Sequence, residues 1–129
     1  MLSQRQTLIF GSLLGGLAVA LGAFGSHAFK SLLLENNRVD TYELATKYHL
    51  FHALTMLAIG ILMNQVKQKS IKVSATLVLA GTVLFSGSLY LMALLNTTKV
   101  ALITPLGGLF LLTGWALLVY SLVRKSEAS

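Results

Sequence analysis

Four long apolar runs separated by short polar segments set the pattern of this 129-residue chain. The first extends from Thr7 to Phe29 and carries no charge before Lys30. A polar stretch with Lys30, Glu35, Arg38, Asp40, Glu43 and Lys47 follows, and the second run then reaches Met63, where Asn64, Gln65 and Lys67 end it. The third covers Val73 to Leu95 and the fourth Pro105 to Val123. A helix needs about 20 apolar residues to cross a bilayer. The pattern therefore predicts an all-α integral membrane bundle of four transmembrane helices, at about residues 7–29, 41–64, 73–95 and 104–123, forming one domain over the whole chain.

Local signals sharpen the ends of these helices. Asp40 followed by Glu43 fits a capping box at the start of the second helix. Thr104 as cap with Pro105 in the first turn is the simplest start for the fourth, a helix of about 28 Å to Val123. A helix starting near Val100 and kinked at Pro105 is the alternative. Arg5 before an apolar run, with Ser26-His27-Ala28 after it, gives the N-terminus some likeness to a signal peptide. Its apolar run of about 20 residues exceeds the roughly 7 to 15 of a signal core, so a permanent first transmembrane helix is expected.

Composition agrees with a membrane setting. Only 11% of residues are charged, against about 25% in a soluble domain whose surface must face water. The basic residues lie at or beyond the ends of the apolar runs, which suits lipid headgroups and not a continuous nucleic-acid footprint. With four crossings the terminal side holds Arg5, Lys67, Lys69, Lys72, Arg124 and Lys125, and the other side Lys30, Arg38, Lys47 and Lys99. This excess puts both termini in the cytoplasm and the protein in the cell (inner) membrane. The bilayer is the expected partner, with a homo-oligomer or a larger membrane complex open.

Small residues recur on one face of the first helix at Gly11, Gly15, Ala18, Gly22 and Ser26, a pattern that lets membrane helices approach closely. Gly87, Gly107 and Gly108 are further expected packing positions. Polar residues gather toward the outer ends of the helices: His27 on the first, His49 and His52 at i, i+3 on the second, the stripe Thr82, Ser86 and Tyr90 on the third, and Thr104 on the fourth. Trp115 and Tyr120 fall on the inner part of the fourth helix, where Tyr120 suits an interfacial belt.

Several readings of the outer cluster stay open. Histidines and hydroxyls at such depth commonly bond facing helices. A small-ligand pocket lined by His27, His52, Ser86, Tyr90 and Thr104 is the functional alternative. Three histidines, His27, His49 and His52, also permit a metal site, or a haem held between His27 and one histidine of the second helix. Their titration near neutral pH further permits a pH-responsive interface. No cofactor is predicted. With no cysteine, thiolate sites are excluded. No carboxylate pair lies at membrane depth, and phosphate loops, dinucleotide fingerprints and nucleophile elbows are lacking, so a non-enzymatic role is expected.

GAFGSHAF from Gly22, the His52-Ala53 pair in YHLFHALTMLAIG, FSGSLY from Phe85, and ITPLGG from Ile103 with Gly114-Trp115 resemble the signature segments of a small multi-pass membrane family. It is the one catalogued as domain of unknown function 423, with YgdD-like and YwdK-like bacterial proteins and the eukaryotic transmembrane protein 256 as relatives. The resemblance covers nearly the whole chain and implies a four-helix membrane protein without an assigned activity. The matching positions are His27, His52, Ser86, Ser88, Tyr90, Thr104, Pro105, Gly107 and Gly108. His49 stands where relatives commonly carry glutamine, which leaves His27 and His52 as the better pair. Ser26 replaces a usual alanine. The expected role is a structural or accessory bundle, with ligand binding or transport at the outer pocket as the alternative.

Overall fold

The computed structural model describes the backbone of residues 1–128 and the side chains of residues 1–124. Lys125, counted above with the terminal cations, lies outside the described side chains. The chain forms five helices: α1 (Gln4–Ser26), α2 (Lys30–Glu35), α3 (Val39–Leu62), α4 (Lys69–Leu95) and α5 (Ile103–Ala128).

α1 starts earlier than the apolar run because Ser3 and Gln6 build a capping box. Ser3 Oγ accepts from the Gln6 amide at 3.2 Å, and Gln6 Oε1 accepts from the Ser3 amide at 2.9 Å. It ends at Ser26, short of the expected Phe29. The short α2 was not anticipated. Its Leu33 is buried with Tyr42 and Ala93, so an apolar plug lies within what reads as a polar loop. Asn37, in the left-handed conformation at φ 53°, turns the chain into α3.

The expected cap at Asp40 is corrected: α3 begins after Arg38 with no side-chain cap, and Asp40 falls inside the first turn. Its charge there faces the positive end of the helix dipole. α4 begins at Lys69, taking loop lysines into its first turns, and stops at left-handed Asn96. α5 begins at Ile103, so Thr104 is within the helix and is not its cap, and Pro105 stands in the first turn, where no amide donor is needed. Turns at Ala101 N to Thr98 O and Ile103 N to Val100 O precede it.

The helices pack as an antiparallel row in which α1 lies on α3, α3 on α4, and α4 on α5. At one end, the Leu2 amide donates to Thr76 Oγ1 at 3.0 Å, Gln4 Nε2 to the Gly60 carbonyl at 2.9 Å, and Ser70 and Ser121 share a 2.6 Å bond. At the other end, Asn36 Nδ2 donates to the Ala93 carbonyl at 3.0 Å. α1, α4 and the Ile103–Arg124 part of α5 are long and apolar enough to cross a membrane. α3 is not among them and carries Asp40, Glu43 and Lys47 near its start.

Glycines set how closely the row packs. A Cβ at Gly11 would meet Met56 Cβ at 3.0 Å, one at Gly22 Thr46 Cγ2 at 3.4 Å, and one at Gly15 Ala53 Cβ only at 4.0 Å. The tightest α4–α5 approach is at Gly107, where a Cβ would stand 2.5 Å from the Phe85 amide nitrogen and 3.0 Å from the Gly81 carbonyl. Gly108 is looser, 3.8 Å from the Phe85 ring. Gly87 is corrected as a packing position: nothing lies within 4 Å of where its Cβ would be, because that side of α4 borders a crevice. Close contacts not anticipated are Gly25 against the Tyr42 ring, Gly60 against Leu8, and Gly114 against Val78.

Candidate functional site

α3 runs in the middle of one half of the row, so its side chains reach helices on two sides. His49 and His52, one turn apart, are 3% and 4% exposed, and each points to a different partner. His49 Nδ1 lies 2.9 Å from Tyr90 Oη, and the Tyr90 hydroxyl donates to Thr46 Oγ1 at 3.4 Å. With that single phenolic proton on Thr46, His49 Nδ1 carries the hydrogen donated to Tyr90. Its Nε2 is buried without a hydrogen-bond partner: with the hydrogen on Nδ1 it can only accept, and the nearby Leu14 carbonyl of α1 cannot donate.

His52 is satisfied at both nitrogens. The Trp115 indole donates to Nε2 at 3.2 Å, and Nδ1 lies 2.8 Å from the Tyr48 carbonyl. An indole only donates and a carbonyl only accepts. His52 is therefore a neutral imidazole with its hydrogen on Nδ1, and its one lone pair is occupied by Trp115. A metal or haem iron at His52 would have to displace that indole.

The remaining predicted residues do not join these two histidines in a single pocket. His27 is exposed at the end of α1. Among the described residues no group of three His, Cys, Asp or Glu side chains stands close enough to hold a metal, so the three-histidine arrangement is not formed. His27 closes α1 whereas His49 and His52 stand near the middle of α3, about two to three turns deeper, so the three are not aimed at one point. Ser86 Oγ donates to the Ala45 carbonyl of α3 at 2.9 Å, Ser88 and Thr104 share a 2.5 Å bond between α4 and α5, and Thr82 bonds back to Val78 O of its own helix.

Two spaces border these histidines, and a third of about 450 Å³ lies between α1, α2 and α3 with Lys30, Glu43, Thr46 and Lys47 among its lining. A cleft of about 400 Å³ opens between α3 and α5, walled by Tyr48, Phe51, His52, Phe85, Leu111 and Trp115, with Lys47 and Gly108 at the end nearer the starts of those helices. Its aromatic wall is continuous: Tyr48 and Phe85 centroids are 4.9 Å apart, Tyr48 stacks on His52 at 6.0 Å, and Phe51 lies 6.5 Å from Trp115. A smaller crevice of about 160 Å³ lies between α1 and α4, with His49, Ser86, Gly87 and Tyr90 among its lining. The predicted site residues are thus divided between the two. Trp115 is the member that sequence reasoning missed. It is the chain's only tryptophan, but nothing in its spacing says that it would reach a histidine on α3.

The apolar helices, the polar residues bonded between them and the small glycine contacts define a multi-pass, all-α membrane bundle. Comparison with known proteins gives the family. The chain matches the family described as "Protein of unknown function (DUF423)" over residues 21–108, more than half its length, and it belongs to that family. It is 36% identical to the UPF0382 inner membrane protein YgdD of Escherichia coli K12 over 125 residues, 95% of this chain and 93% of that protein. A UPF0382 membrane protein of Staphylococcus saprophyticus is 40% identical over 114 residues, covering 87% and 92% of the two chains. YwdK, a UPF0382 membrane protein of Bacillus subtilis, is 32% identical over 118 residues, covering 91% and 95%. No solved structure gives a significant match. The protein is a small multi-pass inner-membrane protein of a family of unknown function.

Proposed function

We propose that the protein is a non-enzymatic scaffold of four membrane crossings, with α3 as the fourth and both termini in the cytoplasm. The observation that carries the scaffold reading is how the polar side chains of one half of the bundle are used. Ser86, Ser88, Thr104 and His52 bond neighbouring helices or backbone and hold α3, α4 and α5 together. Groups engaged in this way serve cohesion. The fourth crossing is supported by the antiparallel course of α3 along α1, from Tyr42 against Gly25 to Gly60 against Leu8. Its 24 residues span about 36 Å. The lipid-facing sides of α1 and α5 stay available to a second copy or a larger complex.

The chain lacks cysteine, so single cysteines can be introduced on a clean background. Arg38→Cys and Lys99→Cys should react with a membrane-impermeant maleimide added to intact cells or spheroplasts, whereas Ser3→Cys and Lys67→Cys should react only after permeabilisation. Labelling of Lys67→Cys from the same side as Arg38→Cys would remove the α3 crossing and sink the topology. For the scaffold, Ser86→Ala and Thr104→Val should impair any cellular phenotype only in proportion to lost folded protein. A variant at full abundance with lost phenotype would point to a ligand. That second reading, small-ligand binding, is favoured by one observation, the 400 Å³ cleft beside His52.

A further inference from the structure

The cleft between α3 and α5 has the makings of an amphiphile site. Its walls are aromatic and aliphatic over the length of a pocket, and its volume of about 400 Å³ falls in the range of small-molecule sites. The polar groups are at one end. Lys47 makes no hydrogen bond or ion pair among the described residues, although Glu43 lies one turn before it, and the Tyr48 hydroxyl likewise has no partner. Side chains on a helix lean toward its N-terminus, which for α3 is the end facing the headgroups. Two free donors, one of them cationic, therefore stand over an apolar slot that opens sideways to lipid.

We infer that this cleft holds a bilayer phospholipid of net negative headgroup, its phosphate at Lys47 and Tyr48 and one acyl chain along Phe51, Phe85 and Trp115. Charge complementarity selects the headgroup: an anionic lipid brings a charge that Lys47 lacks within the protein, whereas a zwitterionic headgroup brings an ammonium as well. The inference rests on α3 crossing the membrane as proposed above.

Trp115 lines the cleft and is the only tryptophan, so its fluorescence reports the occupant directly. The full chain is reconstituted in phosphatidylcholine vesicles holding a minor share of phosphatidylglycerol, with bromine on the acyl chains of either the minor anionic lipid or an equal share of the phosphatidylcholine. Quenching by the brominated anionic lipid should correspond to about fivefold enrichment next to Trp115, the scale of one lysine at a membrane surface. Lys47→Gln should abolish the enrichment, and Lys99→Gln should leave it intact. Equal quenching by the two lipids overturns the site while leaving the crossings in place. Enrichment that survives Lys47→Gln overturns it too, assigning the effect to general surface charge. Quenching by neither lipid overturns both the site and the membrane placement on which it rests.

Discussion

The two sides of α4 treat the histidines of α3 in opposite ways. Toward α5, His52 has a partner on each nitrogen and stands beside a wide, aromatic cleft. Toward α1, His49 has one bonded nitrogen and one buried without a partner, beside a crevice less than half as large. The comparison separates two properties that are often taken together. Of the two spaces that touch these histidines, the larger lies where the ring nitrogens are already satisfied, and the unsatisfied nitrogen lies where there is little space. Polarity at membrane depth is therefore a poor guide to where a ligand fits in this fold. Open volume depends on which neighbouring side chains are bulky and where glycine replaces them.

The difference can be broken in order of expected effect. Gly107→Ala forces a methyl group against the Phe85 backbone, which cannot yield as a side chain could, and should lower stability by about 3 kcal/mol, near the upper end for overpacking. The check is the midpoint of unfolding as SDS is titrated into a mild detergent, with Gly87→Ala, which fills open space, as the paired variant that holds its midpoint. An unshifted Gly107→Ala midpoint would mean that α4 and α5 do not meet this closely.

Trp115→Phe makes the two sides alike by leaving His52 Nε2 as unpartnered as His49 Nε2. A buried acceptor stripped of its donor loses about 1–3 kcal/mol, so a loss near the middle of that range is expected in the same titration. No loss would show that the indole bond is not maintained. Ser86→Ala removes one bond between α4 and α3 and should shift stability by about 0.6 kcal/mol, the average found for hydrogen bonds between membrane helices.

His49→Gln sharpens the comparison in the other direction. An amide can keep the bond to Tyr90 but exchanges the unpartnered ring nitrogen for another polar atom, so stability should change by less than about 1 kcal/mol. A loss as large as that of Trp115→Phe would mean that His49 Nε2 has a partner and that the asymmetry between the two sides is smaller than the structure describes.

Much of the fold was legible in the chain. The apolar runs anticipated the long helices, with ends displaced by a few residues where capping or loop residues entered the first turn, as Ser3 and Gln6 do for α1 and Lys69 for α4. α2 was not legible, because three leucines between polar residues resemble a loop until Tyr42 and Ala93 are seen to cover Leu33. Ser86 and Tyr90 of the third-helix stripe do face α3, since residues four apart share a helical face. The single pocket expected from His27, His52, Ser86, Tyr90 and Thr104 was not recovered. His27 and Thr104 stand at helix ends while His52 lies midway along α3, level with Trp115, so the expected gathering at the outer ends is corrected for His52.

The sequence by itself determined that the protein belongs in a membrane, where its long helices begin and end to within a few residues, and which residues share a face of each. Helical periodicity fixes the angle between two residues on one helix. It leaves free the rotation of that helix against its neighbours, and the tertiary structure decided this through backbone approach at Gly107, the Tyr42 ring against Gly25 and the bond from Trp115 to His52. Those contacts join residues 22, 17 and 63 positions apart in the chain, and only packing brings such distant groups to bonding range.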